Sequence, residues 1–370
     1  MLLLTPGPTA VPEKIRIAMS GPTIHHRTPE FSEIFRQTRQ KLSKVFNMPE
    51  VLLLSSSGTG AMEASVTNLC HKKALTINAG KFGERFGKIV KAFGFELVEL
   101  KYDWDTPASV QDVKEALEKE GDIDSVFLQI CESAGGLRHP VEEIAKAIKE
   151  FNEDIIVVAD GITAVGVEDI DTTHIDALIS GSQKAFMLPP GLSMIGLSPK
   201  AIQKIEKKSF GYYFDLSTEL KKQRADTTAW TAATTLIIGL NAMLDEILNI
   251  GLDKFYNNTK LRSEASLRAL EAIGLKIYPK TPAKAMSAVY HQKADEIRKV
   301  LKNRYGVNIA GGQEHLKGNL FRINHMGLIE PYEAAWALNA VESALRDLGE
   351  REYDGTANRV FNEIYYKELS

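Results

Sequence analysis

Between Val51 and Leu197, short apolar runs of strand length alternate with stretches whose apolar residues recur at helical spacing. Runs at 51–54, 74–78, 95–100, 125–130, 154–159 and 177–181 read as strands, and stretches at 61–69, 82–93, 110–117 and 144–151 read as helices. The run Ile155 to Asp160 (IIVVAD) is apolar at nearly every position before its final acid, not at every second one. A strand covered by helices on both faces has that signature, because neither face meets water. The alternation therefore predicts an α/β fold, a mostly parallel sheet flanked by helices. Upstream, Val11, Ile15 and Met19, and then Phe31 to Phe46, keep helical spacing. Downstream come two long helices at 232–250 and 252–273, strands near 286–290 and 320–324, and helices near 297–305 and 331–348. Asn249-Ile250-Gly251 interrupts the helical pattern. A large domain over 1–250, opening with a segment 1–30, and a smaller α+β domain over 251–370 are expected.

In open α/β sheets, ligands collect outside the carboxyl ends of the strands. Asp160 stands at one such end. The run Asp176 to Ile179 gives way to Ser180-Gly181-Ser182-Gln183-Lys184, and Pro189-Pro190-Gly191 closes the segment before Leu192 to Leu197. A loop lysine is ordinarily a solvated surface residue. At the end of a buried strand its amine must be desolvated or paired, and desolvation lowers its pKa toward the free amine that Schiff-base chemistry needs. A lysine that condenses with an aldehyde and an aspartate that keeps a pyridinium nitrogen protonated form the minimum apparatus of pyridoxal phosphate (PLP) catalysis. A third feature is Ser55-Ser56-Ser57-Gly58-Thr59-Gly60, between a strand and a helix. Backbone amides at a helix start favour an anion, and Ser57 and Thr59 add hydroxyls. An ordinary Ser/Thr cap explains the same residues without a ligand. No GxxxxGK[ST] pattern is present, so a Walker-type nucleotide site has no support.

A formal net charge of -3 gives no reason to expect nucleic acid or an anionic membrane as partner. The two cysteines, Cys70 and Cys131, cannot make a disulfide scaffold and suit a reducing, cytoplasmic setting. The apolar stretches fall short of a membrane span, and Met1-Leu2-Leu3-Leu4 lacks the form of a signal peptide. The histidines are scattered without ligand spacing, so no metal is expected.

With Lys184, Asp160 and the Ser57-Gly58-Thr59 loop in one frame, the chain resembles the class V aminotransferases of fold-type I. The alanine–glyoxylate and serine–glyoxylate (serine–pyruvate) branch looks closest. Similarity runs from TPGPTAVP (Thr5 to Pro12) through GSQKAFMLPPG to LFRINHMG (Leu320 to Gly327). The resemblance implies a PLP-dependent transferase with a mostly parallel seven-stranded sheet. It implies transfer of an amino group from a small amino acid to a 2-oxo acid, by ping-pong kinetics. Lys184 would be the lysine that bonds PLP and Asp160 the pyridinium partner. Phe82 and Ile162 would flank the cofactor ring, Ser133 would sit near its 3-hydroxyl, and Ser57, Gly58, Thr59 and Gln183 would meet its phosphate. Thr231 would reach the phosphate of the neighbouring subunit, which implies a homodimer with shared sites. Arg322 would clamp the substrate's α-carboxylate, with Gly7, His26 and Arg27 on the substrate side. The chain departs from the family's ETSTG-like motif, reading Glu132-Ser133-Ala134-Gly135-Gly136, and has Thr228 where some relatives carry tyrosine. A cysteine desulfurase or other PLP lyase shares the fold and is the nearest rival. A cofactor-free phosphate-binding module is a rival of another class, and would leave Lys184, Asp160 and Arg322 without a role.

Overall fold

The run IVVAD, Ile156–Asp160, is buried at every residue and forms the middle strand of a seven-stranded sheet. The computed structural model describes residues 1–207 and 210–367. From one edge, the strands of this sheet run in the order Glu50–Leu54, Ser193–Leu197, Ala177–Gly181, Ile156–Asp160, Ser125–Gln129, Lys73–Asn78 and Glu96–Lys101. Ser193–Leu197 is antiparallel to both neighbours, and the other pairs are parallel. The expected mostly parallel sheet with helices on its faces is what the chain forms. Two apolar layers cover it, one built on Phe31, Phe35, Leu42 and Phe46 of the helix Pro29–Phe46, the other on the helix Gly58–Leu69. Thr28 starts the first of these helices by accepting the Phe31 N–H, Pro29 follows at the first helical position, and left-handed Asn47 ends it.

A second, five-stranded sheet has the order Leu2–Leu4, Val307–Gly311, Leu320–Asn324, Met286–Tyr290, Lys276–Ile277. The first residues of the chain thus pair, in parallel, with a strand three hundred residues away. The helices Leu252–Ala272, Pro331–Asp347 and Thr356–Lys367 pack on it. Among the described residues no single helix is long and apolar enough to cross a membrane.

Elements absent from the sequence reading include the strands Leu2–Leu4, Lys276–Ile277 and Val307–Gly311 and the helices Pro199–Lys207, Leu216–Gln223 and Thr356–Lys367. The last lies in the mostly polar stretch after Gly349. Ala357, Phe361 and Tyr365 recur there every fourth residue and are buried against the second core.

Candidate active site

The carboxyl ends of the parallel strands supply the site, residue by residue. Past Gly181 the chain turns on Ser182, whose hydroxyl donates to Pro189 O at 2.7 Å and accepts Leu192 N–H at 3.2 Å. The turn closes with Met187 N–H on Lys184 O, and Lys184 projects from it into a chamber of about 130 Å³. The N-terminal segment lies across this turn: Thr9 donates its N–H to Gln183 O at 3.1 Å and its hydroxyl to Lys184 O at 2.8 Å. Lys184 Nζ donates to Pro6 O. Gly7 has φ +109°, and a Cβ there would lie 2.7 Å from Lys184 Nζ. Conformation and close approach both demand glycine at that position.

Asp160 ends the middle strand and is 5% exposed. Its Oδ1 accepts the Ile162 N–H at 2.9 Å, which bends the chain so that Ile162 lines the chamber. Burial pushes its carboxyl up to about 6, against the opposing pull of that N–H, Lys184 and Arg85. Burial also brings the Lys184 ammonium down to about 8; the nearby Arg322 charge acts the same way, while Cys131 and Asp160 oppose it. A half-neutral amine near pH 8 and a carboxyl in the physiological range face one space.

Ser57, Gly58 and Thr59 line the chamber at the start of the helix Gly58–Leu69. The first N–H groups of a helix have no intrahelical partner, and Ser57 does not cap them with its side chain. A Cβ on Gly58 would lie 2.5 Å from Ile162 Cδ1. Phe82 enters from the first turn of the helix Lys81–Ala92 and also lines the chamber, as do Ser133 and Gln183. The Gln183 amide oxygen is buried with no protein partner.

Arg322 lies in the second sheet, on Leu320–Asn324, and is 7% exposed. Its Nε and Nη2 donate to Gly311 O at 3.2 and 2.7 Å, and Nη1 donates to Ser133 O. Desolvation lowers its guanidinium to about 10. Thr231, His26 and Arg27 stand outside the chamber. Thr231 is exposed in the loop before the helix Thr234–Ile250. Arg27 donates to Thr227 Oγ1 and to Thr228 O at 2.6 Å, and His26 packs on His25 with ring centroids 4.7 Å apart.

Arg85, Cys131 and Thr163 line the chamber without a site role in the sequence reading, and two of them bear on its chemistry. Arg85 lines the chamber, lies 4.7 Å from the Phe82 ring centroid and donates to Thr59 Oγ1 at 2.9 Å, so one cation backs both the aromatic ring and the anion loop. Its position three residues after Phe82 on one helix face was the available signal. The other is Cys131, buried in the chamber wall, where burial pushes its thiol far up.

A lysine with a depressed pKa, a buried carboxylate, a helix N-terminus flanked by hydroxyls and an aromatic face converge on one cavity. That set defines an α/β enzyme built to hold a flat, phosphorylated, carbonyl-bearing cofactor. The chain belongs to the class V aminotransferases: the family model for aminotransferase class-V matches residues 16–342. Over 367 residues it is 52% identical to an uncharacterized aminotransferase of Helicobacter pylori, covering 99% of this chain and 100% of that one. It is 31% identical to a serine–glyoxylate aminotransferase of Hyphomicrobium methylovorum, covering 100% and 95%. Among solved structures, an aspartate aminotransferase of Thermus thermophilus matches with a TM-score of 0.88 and 35% identity, over 94% of this chain and 99% of that one. The protein is an aminotransferase and its cofactor is PLP. The chamber fits that cofactor on its own features: the helix start at Ser57 that no side chain caps, the Arg85 guanidinium beside Thr59, and the space kept open by Gly7 and Gly58.

Proposed function

We propose that this aminotransferase moves the amino group of a small α-amino acid to a 2-oxo acid such as glyoxylate or pyruvate, in two successive half-reactions. The observation that carries the substrate side is the donor count at Arg322. A guanidinium has five N–H donors. Three meet backbone oxygens, leaving one N–H on each Nη. Two parallel donors are what a planar carboxylate accepts. The Glu132 charge acts on Arg322 without bonding to its guanidinium, so the free N–H groups are left for the α-carboxylate of a substrate.

PLP bound here supplies the electron sink that makes an amino acid's Cα–H bond labile. Ser57, Gly58, Thr59 and Gln183 would hold its phosphate, Phe82 and Ile162 would flank its ring, and Ser133 would lie near its hydroxyl. Asp160 would offer its carboxylate to the ring nitrogen, and a cation there would favour the ionised form of a carboxyl that burial pushes up to about 6. Lys184 Nζ, at about 8, holds enough neutral amine to take a proton and enough ammonium to return it. A desulfurase would need an exposed thiolate; Cys70 and Cys131 are both buried, and Cys70 is pushed up to about 11.

Alanine, serine and aspartate, added singly to the PLP-loaded protein, test the assignment through the cofactor's visible spectrum. At least one should change it without any oxo acid, and glyoxylate or pyruvate should then restore it. A spectrum that shifts only when donor and acceptor are present together contradicts the two-step order. Arg322→Lys should lower kcat/KM by about 10²–10³-fold for every α-amino acid donor alike, since an ammonium lacks the paired donors. An unchanged value would place the carboxylate elsewhere.

A further inference from the structure

Glu132 lies just outside the chamber, wholly buried, and its two oxygens hold two different segments. Oε2 accepts the N–H groups of Phe82 and Gly83, both at 2.9 Å, and Oε1 accepts that of Ala134 at 3.0 Å. The first pair are free donors at the start of the helix Lys81–Ala92, where an anion is favoured. Residue 80 is reduced to hydrogen to admit the carboxylate: a Cβ on Gly80 would lie 2.4 Å from Glu132 Cγ and Cδ. On the other side, the turn tied by Oε1 contains Ser133, whose carbonyl accepts from Arg322 Nη1. Phe82 stands on a helix beside the first sheet and Arg322 on a strand of the second, and the carboxylate of Glu132 is bonded to the backbone that carries the one and to the turn that holds the other.

We propose that Glu132 is a positioning residue of the transamination site, setting the Phe82 ring and the Arg322 guanidinium relative to each other without touching cofactor or substrate. It rests on the roles given above to Phe82 and Arg322. Its oxygens can be separated by substitution. In Glu132→Gln the amide oxygen takes the place with two donors, and the NH2 then faces the Ala134 N–H, donor to donor. The ring side stays held and the Ser133 turn is released. In Gly80→Ala the new methyl displaces the carboxylate from both.

The test reads two dissociation constants on the full chain. PLP binding is followed by cofactor fluorescence on the apo protein. Binding of propionate, a carboxylate without an amino group, is followed by spectral perturbation of the PLP-loaded protein. Glu132→Gln should leave PLP binding within about twofold and weaken propionate about tenfold or more, the size of one unmade buried hydrogen bond. Gly80→Ala should weaken both. Propionate binding unchanged in Glu132→Gln, or both constants lost equally, overturns the proposal. Where Glu132→Gln yields no folded protein, Glu132→Asp replaces it: the shorter acid must weaken both constants, and unchanged constants overturn the proposal. Arg322→Lys is the control. If it leaves propionate binding untouched, the substrate clamp itself is misassigned; if it weakens binding and Glu132→Gln does not, only the role of Glu132 fails.

Discussion

Asp160 and Lys184 face one cavity with burial working against the charged form of each, and the cost of that arrangement is measurable. Asp160 has its carboxyl at about 6 in the folded chain against 3.8 for the free group. A pKa raised by folding contributes stability below the unfolded value that is lost as pH rises through the folded one. Two units correspond to at most about 3 kcal/mol. The apo protein should therefore lose stability between pH 4 and pH 7, and Asp160→Asn should remove that part of the loss. Thermal melting of apo Asp160→Asn should exceed that of the parent at pH 8, with the gap closing toward pH 4. A gap independent of pH would mean that Asp160 is not held in this state. Both residues were legible in the sequence because each stands where a strand of one uniform composition stops. Glu132 and Arg85 were visible as letters but not as roles. The three N–H groups on Glu132 come from residues 82, 83 and 134, and only the folded sheet brings them to one carboxylate.

At the scale of elements, legibility followed length and period. The inner strands such as Ser125–Gln129 and Ile156–Asp160 are nearly continuous apolar runs, and the sequence yields them directly, while the edge strand Glu96–Lys101 mixes charged and apolar residues. Leu2–Leu4 has three residues, too few to show a period, and its partner Val307–Gly311 mixes polar and small residues. Thr356–Lys367 carries Ala357, Val360, Phe361, Ile364 and Tyr365 at helical spacing within an otherwise polar stretch, and Phe361 is completely buried. Phe361→Ala should cost about 3–5 kcal/mol by the large-to-small rule. Its denaturant midpoint should fall, while the PLP dissociation constant of the folded fraction stays unchanged. A silent substitution would mean that this helix does not complete the second core. Lys81, next to Phe82 on its helix, pairs at 2.8 Å with Glu314 in the connection between Val307–Gly311 and Leu320–Asn324, but both side chains are well exposed, so the pair adds little stability.

For the whole molecule, we propose a division near Gly251 into a larger unit, 1–250, and a smaller one, 251–370, with Leu2–Leu4 laid into the smaller unit's sheet. We also propose a cytoplasmic homodimer. What supports the dimer is Thr231, exposed and outside its own chamber, in the loop where the family resemblance expects a contact to the neighbouring subunit's phosphate. The rings of Tyr212 and Tyr213 both meet Trp230 beside it, and Tyr212 is 78% exposed, a surface of the kind that a second copy would cover. Thr231→Val should weaken PLP retention several-fold, and dilution that separates the subunits should do the same to the parent protein. A monomer, by sedimentation, with undiminished PLP affinity would contradict the shared site.

The central claim is that Lys184, and no other lysine, bonds the cofactor. Sodium borohydride reduction of the PLP-loaded protein, followed by digestion and mass spectrometry, tests it in one step. The predicted result is a yellow protein bleached by the reductant, with the phosphopyridoxyl mass on the peptide that contains Ser182-Gln183-Lys184-Ala185, and no label in Lys184→Ala. Label on another lysine, or a full yield of label in Lys184→Ala, would contradict it.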